Sequence, residues 1–150
     1  MYNELFKLCL EGTVVMRATL IVTLVLHILS GVFWAGTTFA LARTGANQTD
    51  QLFRPQMGAA VIVVATGGLL WYLVHPGSFG TTEQILAVGV FCAFVAAGVQ
   101  GMSGGSALRK LSTADESEAS RLRHRVATGQ RVAAAFLMIT VTCMAVARYA

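Results

Sequence analysis

The chain reads as an all-α, four-helix transmembrane bundle forming one integral membrane domain. Three observations carry that reading. Of its 150 residues, 55% are hydrophobic and only 12% are charged, against about 25% charged in soluble domains. The mean hydropathy is +0.66. The apolar residues gather into four stretches, 18–42, 57–75, 85–103 and 132–148, each near the roughly 20 residues that cross a bilayer.

The first span, ATLIVTLVLHILSGVFWAGTTFALA, contains His27. An imidazole deep in hydrocarbon must find partners for its ring nitrogens, so an intramembrane histidine is a functional-site candidate by default. Thr23, His27, Ser30, Trp34 and Thr38 recur at spacings of four, three, four and four, which puts them on one helical face that should point into the bundle. Ala40-Leu41-Ala42 has the form of a signal-peptide cleavage site, but the apolar run before it far exceeds the about 7–15 residues of a signal core, so a retained span is expected. Residues 3–12 are expected to lie at the membrane surface as a short amphipathic turn.

In the second span Pro55 fits a first helical turn, where a missing N–H costs little. His75-Pro76-Gly77 supplies the stop. The third span shows small residues at i, i+4 spacing, Gly89, Ala93, Ala97, Gly101 and Gly105, which predicts a close helix–helix seam. Thr113-Ala114-Asp115-Glu116 is a capping-box pattern. It predicts a fourth helix that starts near residue 114 with a charged, solvated overhang and enters the membrane near Val132.

Charge sets the orientation. Arg43, Arg54, Arg109, Lys110, Arg121, Arg123, Arg125 and Arg131 fall in the two loops on one side, and Lys7, Arg17 and Arg148 on the other. The excess marks the loop side as cytoplasmic and leaves both termini outside, as expected of a multi-pass protein of a bacterial inner membrane. The same placement explains the net charge of +4 without nucleic acid, which is not expected as a partner. His124, among arginines on that side, reads as a solvated residue.

The three cysteines, Cys9, Cys92 and Cys143, form no C-x-x-C pair, so neither a redox dithiol nor a zinc knuckle is signalled. No phosphate-binding loop or H-E-x-x-H motif is present, and no standalone enzymatic activity is expected.

His27, Trp34 and Gly36 form a His-x6-Trp-x-Gly pattern. It resembles the first-helix signature of the copper-resistance protein D family. Phe53-Arg54-Pro55-Gln56-Met57, followed by Thr66-Gly67-Gly68, is similar to that family's next helix, with phenylalanine and arginine in the reverse order. The segment from Gly129-Gln130-Arg131 to Arg148-Tyr149 is similar to the tails of small four-span bacterial relatives. The resemblance implies copper handling at the inner membrane, with this chain corresponding to a four-span core. A more distant likeness is to the small bacterial four-helix protoporphyrinogen oxidases, which implies haem. Those proteins have one more residue between tryptophan and glycine and a lysine in a later helix, whereas no lysine lies in any span here.

Two cofactors are therefore weighed, copper and haem b, beside no cofactor at all. Cu(I) favours thioether, thiolate and imidazole donors; His27, His75, Met144 and Cys143 all lie toward the outer half of their spans. For haem, His27 and His75 differ in depth by about a ring diameter, while Met144 lies nearer the depth of His27, and a His/Met axial pair is an accepted set. Trp34 completes the cofactor-facing candidates. A homodimer or membership of a larger membrane complex is expected, since four short spans leave little room for a wide cavity. In the second case the chain would be an accessory subunit and His27 structural.

Overall fold

The computed structural model describes residues 2–46, 48–74, 77, 79–111 and 113–150. They form α1 (Tyr2–Arg43), α2 (Thr49–Val74), α3 (Thr81–Leu111) and α4 (Glu116–Ala147). All four are long and apolar enough to cross a membrane. The chain is thus a multi-pass membrane protein with an all-α, four-helix bundle. The helices alternate in direction. One end of the bundle carries both termini, and the other, here the basic end, carries the α1–α2 and α3–α4 connections.

Each helix outruns its hydropathy window. A hydropathy window sees only the part that must be apolar, while backbone hydrogen bonds continue wherever good helix formers follow. The short turn expected at residues 3–12 is instead part of α1. Leucine, glutamate and lysine there favour helix, and Gly12 alone does not stop it. At about 1.5 Å per residue α1 is about 63 Å long. Residues 11–19 are exposed all round, and among the side chains described for α1 the first buried one is Thr23, so the stretch 11–19 stands clear of the bundle.

Pro55 lies inside α2 and not in its first turn, because the helix begins at Thr49. The carbonyl that Pro55 leaves without a donor sits in the polar segment before the span, where water reaches it. The cap of α4 is Asp115, whose carboxylate accepts the Glu118 N–H at 2.8 Å. The start is thus displaced by two residues from the Thr113 pattern, because the Asp115 carboxylate supplies the N-cap closer to the apolar run. α1 ends in a Schellman arrangement, with the Ala46 N–H donating to the Leu41 carbonyl at 3.1 Å. Gly45 (φ 66°) takes the left-handed position, and Ala46 (φ 62°) follows it there.

Packing is uneven round the ring. α3 and α4 share the longest interface, then α1 with α2, then α1 with α4, while α2 and α3 barely meet. The central cluster is built of small residues, with Ala59, Ala60, Ala93, Ala96 and Ala133 around Trp34, Val63 and Leu137. Small side chains let helix backbones approach, which supplies van der Waals contact where lipid offers no hydrophobic drive.

The α3 seam departs from the predicted ridge. Gly89 packs on Thr140 and Cys143 of α4, but a Cβ on Gly101 or Gly105 would meet nothing within 4 Å. A strict i, i+4 row drifts about 40° per step on a helix with 3.6 residues per turn, so its far end leaves the interface. The buried line runs Gly89, Ala93, Ala96, Gln100, Ser103 and Ala107, at mixed spacings of three and four.

Candidate functional site around His27

The predicted stripe on α1 does face the bundle. Thr23, Trp34 and Thr38 are buried, and His27 and Ser30 are half-buried. His27 packs against α2, where its Nδ1 lies 3.1 Å from the Val63 carbonyl and 3.0 Å from Thr66 Oγ1. The Thr66 hydroxyl hydrogen is already committed to its own helix, with the Ile62 carbonyl 2.6 Å away. Both atoms around Nδ1 are therefore acceptors, and Nδ1 carries the proton. The neutral ring then has its lone pair on Nε2, for which no hydrogen bond is formed among the described residues.

Gly67 makes this approach possible. A Cβ there would stand 3.1 Å from His27 Cε1, so any side chain would push on the ring edge. Thr66-Gly67 is thus one device, threonine and the neighbouring carbonyl fixing the tautomer and glycine making room. A backbone carbonyl on one imidazole nitrogen is the usual way of orienting a ligand histidine.

The other candidates are placed as follows. Cys143 is a free cysteine, half-buried, with its Cβ turned to Gly89 of α3. Met144 is 38% exposed on α4. Trp34 is 2% exposed, and its indole N–H donates to Gln100 Oε1 at 2.7 Å, so its polar edge is spent inside the bundle. His75 lies outside the described residues. Among the described residues no group of three or more His, Cys, Asp or Glu is arranged to hold a metal ion. Among the described residues the structure therefore supplies one oriented imidazole nitrogen at His27 and no assembled set of metal donors around it.

The most elaborate polar construction was not anticipated from the sequence. About 16 Å along α1 from His27, by helical rise, lies Thr38, and around it one glutamine from each of the other helices. Gln56 and Gln100 each donate from Nε2 to Thr38 Oγ1, at 2.9 and 2.8 Å. Both also donate to Gln130 Oε1, at 3.1 Å each. Gln130 Nε2 returns a bond to Gln56 Oε1 at 3.3 Å, and the Thr38 hydroxyl donates to the Trp34 carbonyl at 2.7 Å. All three glutamines and Thr38 are 0% exposed.

This layer is neutral and nearly saturated. Gln56 and Gln100 use both amide hydrogens and their oxygens, and Thr38 uses its hydrogen and two lone pairs. Gln130 alone keeps one amide hydrogen without a hydrogen bond among the described residues, and no member titrates. Its work is to fix the register of all four helices, as a buried polar residue does in a coiled coil. A signal for it does exist in the sequence. Gln100 interrupts an apolar span, and Gln56 and Gln130 stand at the edges of two others; an amide in lipid needs a partner as surely as an imidazole does.

At the basic end, Arg131 Nε donates to the Ala42 carbonyl at 3.4 Å, tying α4 to the last turn of α1. Comparison with protein-family models, with curated proteins and with solved structures finds no match to this chain.

Proposed function

We propose that the chain is a multi-pass protein of a bacterial inner membrane that presents His27 Nε2 as a ligand to a metal cofactor, copper or haem b. The observation that carries this is the oriented imidazole. Val63 and Thr66 hold the proton on Nδ1, Gly67 opens the space, and Nε2 is left as a donor atom within a membrane span. The resemblance of His27, Trp34, Gly36 and Thr66-Gly67 to the copper-resistance D pattern supports the same reading. With the basic end in the cytoplasm, the terminal end faces outward and His27 lies in the outer half of the bilayer.

The two cofactors place different demands on the residues. A five-coordinate haem needs one protein imidazole, which His27 provides. Copper needs further soft donors, for which Met144 and Cys143 on α4 are the described candidates; only a second donor alongside His27 would hold it.

The test is an optical spectrum with elemental analysis on protein extracted in mild detergent, wild type beside His27→Ala. A Soret band that vanishes in the variant makes His27 a haem ligand. Stoichiometric copper that vanishes makes it a copper ligand. A colourless, metal-free wild type, extracted with its lipid and partners intact, refutes the proposal.

One observation favours a second reading, an accessory subunit of a larger membrane complex. Only 11% of the apolar window of α1 is buried, against 33% in α4. Another membrane helix laid along α1 would cover that face. A stable co-purifying subunit whose association survives His27→Ala would support it.

A further inference from the structure

The α4 face next to the α1–α2 connection forms a cavity of about 270 Å³, open to one side and lined by Gly45, Ser120, Arg123, His124, Ala127 and Arg131. The five α4 residues fall at spacings of three, one, three and four, so they share one helical face. The lining contains two arginines, a histidine and a hydroxyl, and no carboxylate. Like charges gathered without an acid repel one another, and an anion in their midst removes that cost.

The arginine pair is not equivalent. Arg131 is anchored by its Nε–H on the Ala42 carbonyl, which fixes its guanidinium at the cavity while its terminal nitrogens stay available. Arg123 is exposed and free to close from the other side. Guanidinium groups bind phosphate oxygens in pairs, and the Ser120 hydroxyl adds a neutral donor. The cavity also has a defined depth. Val132, the next residue after Arg131, begins the apolar part of α4, so the Arg131 end of the cavity, with Arg123 about 12 Å further out by helical rise, stands where the polar overhang meets the span. That is the level of lipid phosphates.

We infer that this cavity is a phosphate-anion site, filled in the cell by the headgroup of an anionic phospholipid of the leaflet at the basic end. The acyl chains of such a lipid would run along the exposed apolar surface of the bundle while its phosphate sits between Arg123 and Arg131. The site is independent of any cofactor at His27.

The full chain is reconstituted in nanodiscs of zwitterionic lipid doped with phosphatidylglycerol, released, and weighed intact by native mass spectrometry. Wild type is expected to retain one phosphatidylglycerol in preference to zwitterionic lipid. The variant Arg123→Gln/His124→Gln, which leaves the Arg131 anchor untouched, is expected to lose that preference by about fivefold, the order expected for the one arginine charge removed at an anionic surface. Arg109→Gln/Lys110→Gln removes two cations from the same end outside the cavity and is expected to retain the lipid. Equal loss in both variants overturns the proposal, because bulk attraction would then account for binding. Equal retention in both overturns it as well. A parallel thermal shift with inorganic phosphate in zwitterionic detergent separates the sources. Protection by free phosphate that depends on Arg123 and His124, without lipid retention, overturns the lipid assignment.

Discussion

Gln56 and Gln130 meet as a reciprocal amide pair, Nε2 to Oε1 in both directions, at 3.1 and 3.3 Å. The pair ties α2 to α4, helices on opposite sides of the ring, and Gln100 and Thr38 close the layer from α3 and α1. Hydrogen bonds between membrane helices average only about 0.6 kcal/mol each. The layer therefore matters less through any one bond than through what a broken member leaves behind.

Replacing Gln100 by leucine deprives three groups at once, the Trp34 N–H, a Thr38 lone pair and the Gln130 oxygen. The expected loss is about 1–3 kcal/mol of bundle stability, the cost of a buried group left unsatisfied. Thermal unfolding in detergent measures it. The more diagnostic variant is Gln84→Leu, on the same helix but outside the layer, which should leave the midpoint unchanged.

Glycines in the seams should be unequal. Gly129 faces Ser103, whose Cβ would be 2.9 Å from a new methyl group, and Gly104 lies under the ring of Phe53. Gly129→Ala and Gly104→Ala should each cost about 1–3 kcal/mol as overpacking. Gly101→Ala meets open space and should be neutral or slightly stabilising, since alanine is the better helix former. Three melting curves, taken side by side, check the ranking.

Gly67 should matter through His27. A methyl group there would crowd Cε1 at 3.1 Å and turn the ring by a few tenths of an ångström, which a folded bundle tolerates. Gly67→Ala should therefore keep the melting profile within about 1 kcal/mol while weakening retention of whatever His27 ligates, read from the cofactor-to-protein ratio. Gly68→Ala, with nothing within 4 Å of its new carbon, should leave both unchanged.

Asp115 gives a pH dependence at the basic end. The Glu118 N–H and then the Ser117 hydroxyl donate to its carboxylate and hold it below the usual carboxylate range. A group depressed in the folded state stabilises that state above its ordinary pKa, and the contribution disappears as pH falls through the depressed value. The first turn of α4 should thus be fully capped at neutral pH and fray only in acid below the ordinary aspartate range, about pH 4. The Glu118 amide proton resonance, followed by acid titration, reports it, and Asp115→Ala should abolish the transition.

How far the chain explains itself depends on the residue type. The four spans were legible because a bilayer imposes length and apolarity together. The polar stripe on α1 was legible because five polar residues at helical spacing in an apolar run can only point inward. The overhang of α4, Glu116 to Arg131, was legible to within two residues from its capping pattern, but the stretch from Tyr2 to Arg17 was not, since it is helical for reasons of propensity that hydropathy does not register. The alignment of His27 with Thr66-Gly67 could be suspected from a resemblance, but the bond to the Val63 carbonyl depends on the pairing register of α1 and α2. The glutamine layer is only faintly legible because neutral amides carry no charge signal, and because Gln56, Gln100 and Gln130 become neighbours only when all four helices are in place.

That last circumstance bears on how the protein is made. Helices leave the ribosome and enter the membrane in order, so Gln56 and Gln100 arrive before Gln130. Until α4 inserts, the amides of α2 and α3 have Thr38 Oγ1 as a shared acceptor but lack the second one, Gln130 Oε1, so each keeps an amide hydrogen unsatisfied. A nascent chain stalled after α3 would thus carry polar groups that no lipid can satisfy, a mark by which membrane proteases distinguish unfinished chains from finished ones. Pulse-chase of a chain ended after Leu111 should show rapid degradation, slowed when Gln56 and Gln100 are both leucine, so the lock that sets the register also certifies that assembly is complete.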